Sequence, residues 1–387
     1  MTDLPGFPLI LGSSPEFPPQ DVSTSDVHTR WMRRCLELAR LAAGRTAPNP
    51  MVGCVVLNQG LVVGEGFHPG AGQPHAEVFA LAQAGDRGKG ATLYVNLEPC
   101  NHTGRTPPCT EAIIRADVRQ VVVGMVDPDP RVSGTGIERL RQTGIEVEVG
   151  VEESACQRLN EAFVQRVTHQ RPLGLLKYAM TLDGKIAATS GHSAWVTGPM
   201  ARAAVHQLRA TCDAVVVGGN TVRRDNPRLT SHGHSAHNPL RVVMSHRLDL
   251  PAQANLWHTK EAPTVVFTTA EADPAQQQLL TAQGVEVVVL PMLTPRLVTD
   301  HLYQRGCAVV LWECGGRLAA EAIKDGVIDK LWAFVAPKLV GGKAAPGPVG
   351  DLGIQDMGQA LALERTTWRT LGDDLLLEAY LCPPAST

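Results

Sequence analysis

The sequence predicts an α/β protein built as two units, and three observations carry that prediction. Its 387 residues exceed one ordinary domain and suit two, at roughly 100–200 residues each. Short apolar runs alternate with segments of helical periodicity along almost the whole chain, the pattern of strands exchanging with helices over a sheet covered on both faces. The alternation resets between Gln165 and Pro172, and Pro172 marks a plausible boundary. The expected parts are a loose tail over 1–25, a first domain over 26–170 and a second over 171–387.

In the first unit Trp31, Cys35, Leu38, Ala39 and Ala42 recur at helical spacing after an Asp26 cap and stop at Gly44. Apolar runs at 52–57 and 61–66 flank Asn58-Gln59-Gly60, a hairpin signal. Then come a helix at 75–83, a strand at 92–96, a helix at 109–115, a strand at 120–124, a helix at 136–142 and a strand at 145–149. In the second unit strands are expected at 173–180, 214–218, 241–245, 264–268, 285–290, 308–312 and 330–335. Helices are expected there at 200–210, 274–282, 297–304 and 317–325.

Composition narrows the function. A 44% hydrophobic content with 19% charged residues excludes general disorder. No apolar run approaches the ~20 residues that cross a bilayer, so no membrane partner is expected. Lys and Arg number 35 against 38 Asp and Glu, which leaves no basic footprint for nucleic acid. Small molecules are the expected partners. No Lys or Arg precedes Arg30, while Asp3, Glu16, Asp21 and Asp26 do, which predicts neither a secretory nor a transit segment. Nine cysteines, an odd number without a framework of close spacings, point to reduced thiols and the cytoplasm.

The first unit carries a metal-binding pattern. His75-Ala76-Glu77 opens a helix, Pro99-Cys100 ends a strand, and Pro107-Pro108-Cys109 opens another helix. One imidazole and two thiolates leave a fourth position open on a tetrahedral zinc, the catalytic arrangement. A helix N-terminus is expected to lower the Cys109 thiol pKa. Glu77 would stand beside the metal as a proton shuttle, and zinc brings water's pKa to about 7. The zinc-deaminase signature H-x-E…P-C-x-x-C has this logic, although eight residues separate Cys100 from Cys109 here.

That longer spacing, with Ala47-Pro48-Asn49-Pro50-Met51-Val52-Gly53 and the run Glu98-Pro99-Cys100-Asn101-His102-Thr103-Gly104-Arg105-Thr106-Pro107-Pro108-Cys109, resembles the deaminase half of bacterial riboflavin-biosynthesis deaminase-reductases. The resemblance continues through 176–187, Ser193-Ala194-Trp195-Val196-Thr197, 213–230 and 336–342. It implies a cytidine-deaminase-like α/β/α domain followed by a dihydrofolate-reductase-like α/β domain. The implied activity is zinc-dependent (Zn2+) deamination of a phosphoribosyl pyrimidine, then NADPH-dependent reduction of its ribose to ribityl. It also implies that Asn49 helps hold the substrate. Ala179, Trp195, Thr221, Asp225, Gly315 and Gly316 would contact NADPH, and Ser193, Arg209, Leu229 and Glu313 the substrate.

Physical chemistry agrees in part. No G-x-G-x-x-G follows the first strand of the second unit, so a standard dinucleotide-binding unit is not expected. Gly218-Gly219-Asn220-Thr221 and Glu313-Cys314-Gly315-Gly316 instead read as glycine turns after strands, the second opening a helix suited to an anion. Arg209 can bind a phosphate. Lys177, in an apolar strand, needs a partner, with Asp225 the candidate, and both could polarise the sugar oxygen. Trp195 reads as either a cofactor contact or core packing. Where the family tends to have a second phosphate-binding Arg, this chain has Ser231-His232-Gly233-His234, and either Arg228 or His232 could substitute. The alternatives are a deaminase with a non-catalytic second domain, a nucleoside or tRNA deaminase, and a zinc-stabilised nucleotide-binding scaffold. A homo-oligomer is expected.

Overall fold

A computed structural model describes residues 24–103, 107–235 and 237–382. Residues 1–23 of the tail expected over 1–25 and the Gly104-Arg105-Thr106 part of the long motif lie outside the described residues, while Thr24 and Ser25 already belong to the first helix.

The first sheet has five strands, β1 (Gly53–Asn58), β2 (Leu61–Phe67), β3 (Thr92–Val95), β4 (Gln120–Val123) and β5 (Glu146–Val149), in the order β2-β1-β3-β4-β5. β1 and β2 form the expected antiparallel hairpin, and Gln59 and Gly60 both take left-handed φ values (50° and 80°), as a type I′ turn requires. β3, β4 and β5 run parallel. One face is covered by α2 (Ala76–Ala84), α3 (Cys109–Arg115) and α4 (Thr135–Gln142), whose Ala80, Ile113 and Leu140 pack on Cys54, Val95 and Val121. The other is covered by α1 (Thr24–Arg40), α5 (Glu153–Leu159) and α6 (Glu161–His169), with Met32, Cys35, Cys156 and Phe163 against Val55, Tyr94 and Val122.

α1 begins at Thr24, so Asp26 lies in its first turn and is not its cap. α5 and α6 were not expected. Each is short, and α6 has no fully buried residue, so neither prints a clear apolar stripe.

The second sheet has nine strands in the order β10-β9-β8-β7-β11-β6-β12-β14-β13. Seven are parallel: β6 (Leu173–Thr181), β7 (Ala214–Gly218), β8 (Leu240–Met244), β9 (Thr264–Thr268), β10 (Glu286–Val289), β11 (Val309–Trp312) and β12 (Lys330–Ala336). β13 (Leu363–Leu371) and β14 (Asp374–Leu381) add an antiparallel edge that the sequence reading missed. The helices are α7 (Pro199–Arg209), α8 (Gly219–Asp225), α9 (Pro274–Ala282), α10 (Pro295–Gln304) and α11 (Gly316–Lys324). α8 corrects the expected Gly218–Thr221 turn: Gly218 caps a helix that starts at once. The chain runs outward from β7 to β10, then returns through β11, inserted between β7 and β6. Strand order reverses there, and ligand crevices form outside the carboxyl ends of strands at such points.

The two sheets meet through α6 and the segment after it. Arg171 makes a two-bonded ion pair with Asp329 (2.6 and 2.7 Å), which also accepts from Gly174 N (2.8 Å) and Gln165 Nε2 (3.2 Å). Lys330 reaches Glu161 at 2.9 Å. Asp329→Ala leaves three donors without their acceptor in a half-buried junction and is expected to cost about 2–3 kcal/mol. A denaturant midpoint against wild type measures it.

Candidate functional site

The first site is assembled where helix ends meet the carboxyl ends of β3 and β4. α2 lies tight against β2: a Cβ at Gly64 or Gly66 would run into the Ala80 or Ala76 carbonyl oxygen. That approach brings the α2 N-terminus, capped by His75, onto the sheet. Cys100 follows β3, and Cys109 is the first residue of α3.

The ligand atoms of His75, Cys100 and Cys109 all lie within 4.8 Å of one another. His75 Nδ1 is 3.2 Å from Cys109 Sγ and 3.5 Å from Cys100 Sγ, and Cys109 N–H donates to Cys100 Sγ at 3.4 Å. Hydrogen bonding from Cys109 and then His75 lowers the Cys100 thiol to about 4, whereas Cys100 and burial raise Cys109. In this contact Cys109 is raised, where its helix N-terminus was expected to lower it.

Glu77, in the first turn of α2, is 3% exposed, and its Oε2 has no hydrogen-bond partner. Burial, with the Cys100 charge, pushes its carboxyl up to about 6. Two soft sulfur donors, one imidazole and an unpartnered buried carboxylate oxygen suit a zinc ion with an adjacent proton acceptor.

His75, Glu77 and Cys100 border a cavity of about 650 Å³ that Asn49 also lines. Asn49 Nδ2 is 3.3 Å from His68 Nε2, and the His68 ring stands edge-on to His75 at 5.4 Å. The Asn49–Gly53 segment is pinned from both ends of the domain. Asn96 bonds Gly53 N (2.8 Å) and Met51 O (3.0 Å), and Asn160, between α5 and α6, bonds Met51 N (2.8 Å) and Met51 O (3.0 Å).

Sequence reasoning missed His68, His102, Asp127, Asp129 and Arg131, which line the same cavity. Asp127-Pro128-Asp129-Pro130 reads as turn punctuation, and only the fold brings that turn beside Cys100. Glu98 fixes it there. This buried carboxylate accepts from Asp127 N (3.1 Å), Gly134 N (2.9 Å), Gly136 N (2.9 Å) and Ile137 N (3.3 Å). It thereby caps α4 and ties the loop to the strand end that carries Cys100.

The second site lies at the carboxyl ends of β6, β11 and β7. Glu313, just beyond β11, accepts from Arg209 of α7 at 2.5 and 2.9 Å and faces Lys177 of β6 at 3.8 Å. Burial raises the Glu313 pKa, but Arg209 and Lys177 outweigh it and hold it at about 2. Burial lowers Lys177, and Glu313 partly offsets this. Lys177 thus pairs with Glu313, not with Asp225 as expected. Asp225 sits at the end of α8 and accepts from Ser193 Oγ at 3.2 Å.

Thr221 and Asp225 are four apart on α8 and share a face. Trp195 is 70% exposed under the Arg202 guanidinium (4.6 Å), which excludes core packing. Ala179, two residues beyond Lys177, packs against Phe334 and Leu376. Gly315 caps α11 without a side chain, and a Cβ on Gly316 would meet Gly347 O at 2.6 Å. Leu229 is buried in the core, so any ligand contact there belongs to its backbone. Arg228 is engaged with Glu261, whereas His232 stacks on His206 at 4.0 Å. The motifs at 181–185 and 338–342 close on each other through Asp183, which accepts from Thr181 Oγ1 (2.5 Å) and Gly341 N (2.7 Å).

Residues 25–125 match the cytidine and deoxycytidylate deaminase zinc-binding region, and residues 172–377 the RibD C-terminal domain. A riboflavin biosynthesis protein RibD from Synechocystis sp. is 62% identical over 351 residues, 91% of this chain and 95% of that protein. The structure of Acinetobacter baumannii RibD has 37% identity and a TM-score of 0.83, over 93% of this chain and 100% of that one. A diaminohydroxyphosphoribosylaminopyrimidine deaminase/5-amino-6-(5-phosphoribosylamino)uracil reductase from Thermotoga maritima has 36% identity and a TM-score of 0.83 over the same shares.

The cavity wall gives its own test. Glu98→Ala removes the acceptor of four amides and is expected to destabilise the protein by about 3 kcal/mol. Hydrogen exchange should show lost protection at Asp127, Gly134, Gly136 and Ile137 before the rest of the sheet opens.

Proposed function

The chain belongs to the RibD family of bifunctional riboflavin-biosynthesis enzymes, and we propose that it deaminates a phosphoribosylated diaminopyrimidinone at the first site and reduces its sugar at the second. It is a hydrolase and an NADPH-dependent oxidoreductase, with Zn2+ and NADPH as cofactors. The observation that carries the first assignment is the unpartnered Glu77 Oε2 beside three converging metal donors.

His75, Cys100 and Cys109 would hold zinc, which supplies a Lewis acid that brings water's pKa to about 7. Glu77 Oε2 accepts a proton from the attacking water. It returns that proton to the ring amino group as the new carbon–oxygen bond forms and the carbon–nitrogen bond breaks, so ammonia leaves. Its raised pKa, about 6, suits both halves of that exchange. Asn49, held beside His68, orients the pyrimidine.

At the second site bound NADPH would supply the hydride that reduces the sugar. Lys177 delivers a proton to the sugar oxygen, and Glu313, clamped by Arg209, holds the ammonium in place. Trp195, Thr221, Asp225, Ala179 and the Gly315-Gly316 helix start are the surfaces we assign to NADPH. Arg209, Ser193, Glu313, His232 and the Leu229 backbone we assign to the phosphorylated substrate. The boundary between the two activities falls near residue 170, in the segment between α6 and β6.

The remaining partners follow from the surface. The near-neutral charge supports small molecules over nucleic acid, and no described helix is long and apolar enough to cross a membrane. Nine free cysteines support a reducing, cytoplasmic compartment. The edge strand β13 is exposed nearly throughout, with Trp368 60% exposed and Met357, in the segment that precedes it, 87%, which supports pairing with a second copy.

Mass spectrometry of the pyrimidine with zinc-loaded protein tests the sequence of steps. The mass change of an amino-to-oxo exchange should appear without NADPH, and that of an added hydrogen pair only with it. Glu77→Gln should keep its zinc and lose deamination by about 10²–10⁴-fold. Lys177→Ala should leave deamination at the wild-type rate while reduction falls. Deamination persisting in Glu77→Gln overturns the assignment.

A further inference from the structure

Away from the α6 junction the two halves also touch backbone to backbone. Gly44, in the turn that follows α1, has a left-handed φ of 75°. A Cβ on it would lie 2.4 Å from Ala210 O and 3.1 Å from Thr211 Cα. Only glycine combines that φ with that approach. Both partners belong to the turn between α7 and β7 in the second unit. A backbone atom cannot swing aside as a side chain would, so the spacing here is fixed by the two main chains themselves.

Little slack separates this contact from either site. On one side Arg209, which clamps Glu313, is the last residue of α7 and directly precedes Ala210. The turn is closed by Ala210 N to His206 O (3.2 Å), Thr211 N to Leu208 O (3.0 Å) and Cys212 N to Arg209 O (3.2 Å). Asp213 N is already bonded to Val309 O of β11 (3.0 Å). On the other side Arg45 N donates to Ala42 O (3.0 Å) and Asn49 N to Thr46 O (2.8 Å), with Ala42 and Thr46 buried. Arg45 O also backs a second stretch of the zinc cavity. A Cβ on Gly70 would come within 3.2 Å of it, and Ala71, Gly72 and Gln73 line that wall. Bonded turns thus run from Gly44 to Asn49 in the first unit and from Ala210 back to Arg209 in the second.

We propose that Gly44 is a positioning residue for both reactions: its contact with the Ala210–Thr211 backbone sets where Asn49 stands at the first cavity and where Arg209 stands at the second site. This rests on the reading of the two sites as deaminase and reductase. No neighbour can rotate away from a methyl group at position 44, so the 44–49 turn and the end of α7 must part to admit one. Asn49 and Arg209 bind substrate and transfer no proton. Their displacement is therefore felt as weaker binding at both sites, with the chemical steps kept. A glycine that served only the folding of the first unit would leave the second reaction alone.

Steady-state kinetics of both reactions on the full-length, zinc-loaded enzyme, each started from its own purified substrate, test this. Gly44→Ala should raise KM for deamination and KM for reduction by about threefold or more, with each kcat within about twofold of wild type. Gly60→Ala is the control. Gly60 has a similar left-handed φ of 80° in the same unit but nothing within 4 Å of its Cβ position, so both KM values should stay at wild type. Thr211→Gly approaches the contact from the second unit. It removes the Thr211 Oγ1 bond to Leu208 O (2.8 Å), loosens that turn and should raise KM for deamination, the reaction of the other half. Combined with Gly44→Ala, it should raise KM by less than the product of the two single effects, because the loosened peptide can move off the added methyl. A Gly44→Ala enzyme altered in deamination alone, or equal rises in Gly60→Ala, overturns the inference. If Gly44→Ala yields no folded enzyme, Thr211→Gly decides, and an unchanged deamination KM overturns the inference. A wild-type enzyme inactive towards either substrate overturns the reading of that site instead.

Discussion

Buried charge has to be matched, and both sites of this chain are arrangements of matched charge at the carboxyl ends of parallel strands. Glu98 has four amides, Glu313 has Arg209 and Lys177, and Asp329 has Arg171 with two further donors. Against that background the exception carries the chemistry. Glu77 is as buried as Glu98, yet one of its oxygens has no partner. A fold that satisfies its other buried carboxylates so thoroughly leaves this one open because something else must reach it. A zinc site serving only to hold a scaffold together has no use for that open oxygen.

The fold was legible wherever burial imposes a pattern. β7, β8, β9 and β11 are sheltered on both faces and read as short apolar runs between turns, and α7, α10 and α11 show their stripes. Patterning fades where one side meets solvent or the element is short. β13 is exposed along nearly its whole length, so Glu364, Arg365, Thr366, Thr367 and Arg369 left no strand signal. α5 and α6 are brief and contribute only Cys156 as a fully buried residue. α8 was hidden by its own start, because two glycines after a strand read equally well as a turn or as a helix entry.

The sites divide along another line. Residue types that do one chemistry at fixed spacing, such as His75, Glu77, Cys100 and Cys109, stand out in one dimension. His68, Asp127 and Asp129 are ordinary residues at ordinary spacings, and they matter only because the sheet brings the loops after β2 and β4 to one cavity. Partnerships are still harder to read. Lys177 needed a carboxylate, and Asp225 and Glu313 were both within reason; strand order decides, since β11 lies next to β6 and puts Glu313 beside it. The opposite shifts of the Cys100 and Cys109 thiols likewise come from their contact and not from either position along the chain.

The junction explains how two chemistries can share a chain without sharing a residue. Asn160 and Glu161 are neighbours, yet they face different halves. Asn160 holds Met51, at the rim of the zinc cavity, by two hydrogen bonds. Glu161 binds Lys330 at the start of β12 and the Tyr380 hydroxyl on β14. The backbone between these two residues is therefore fixed from both sides, and α6 begins there as a strut common to the two sheets. A flexible linker would need neither set of bonds. The contacts cost the junction its mobility, and in return the Asn49–Gly53 wall of one site is held by the same short segment that grips the second sheet. Each reaction keeps its own charges at its own strand ends, and what the halves share is the rigidity of that strut.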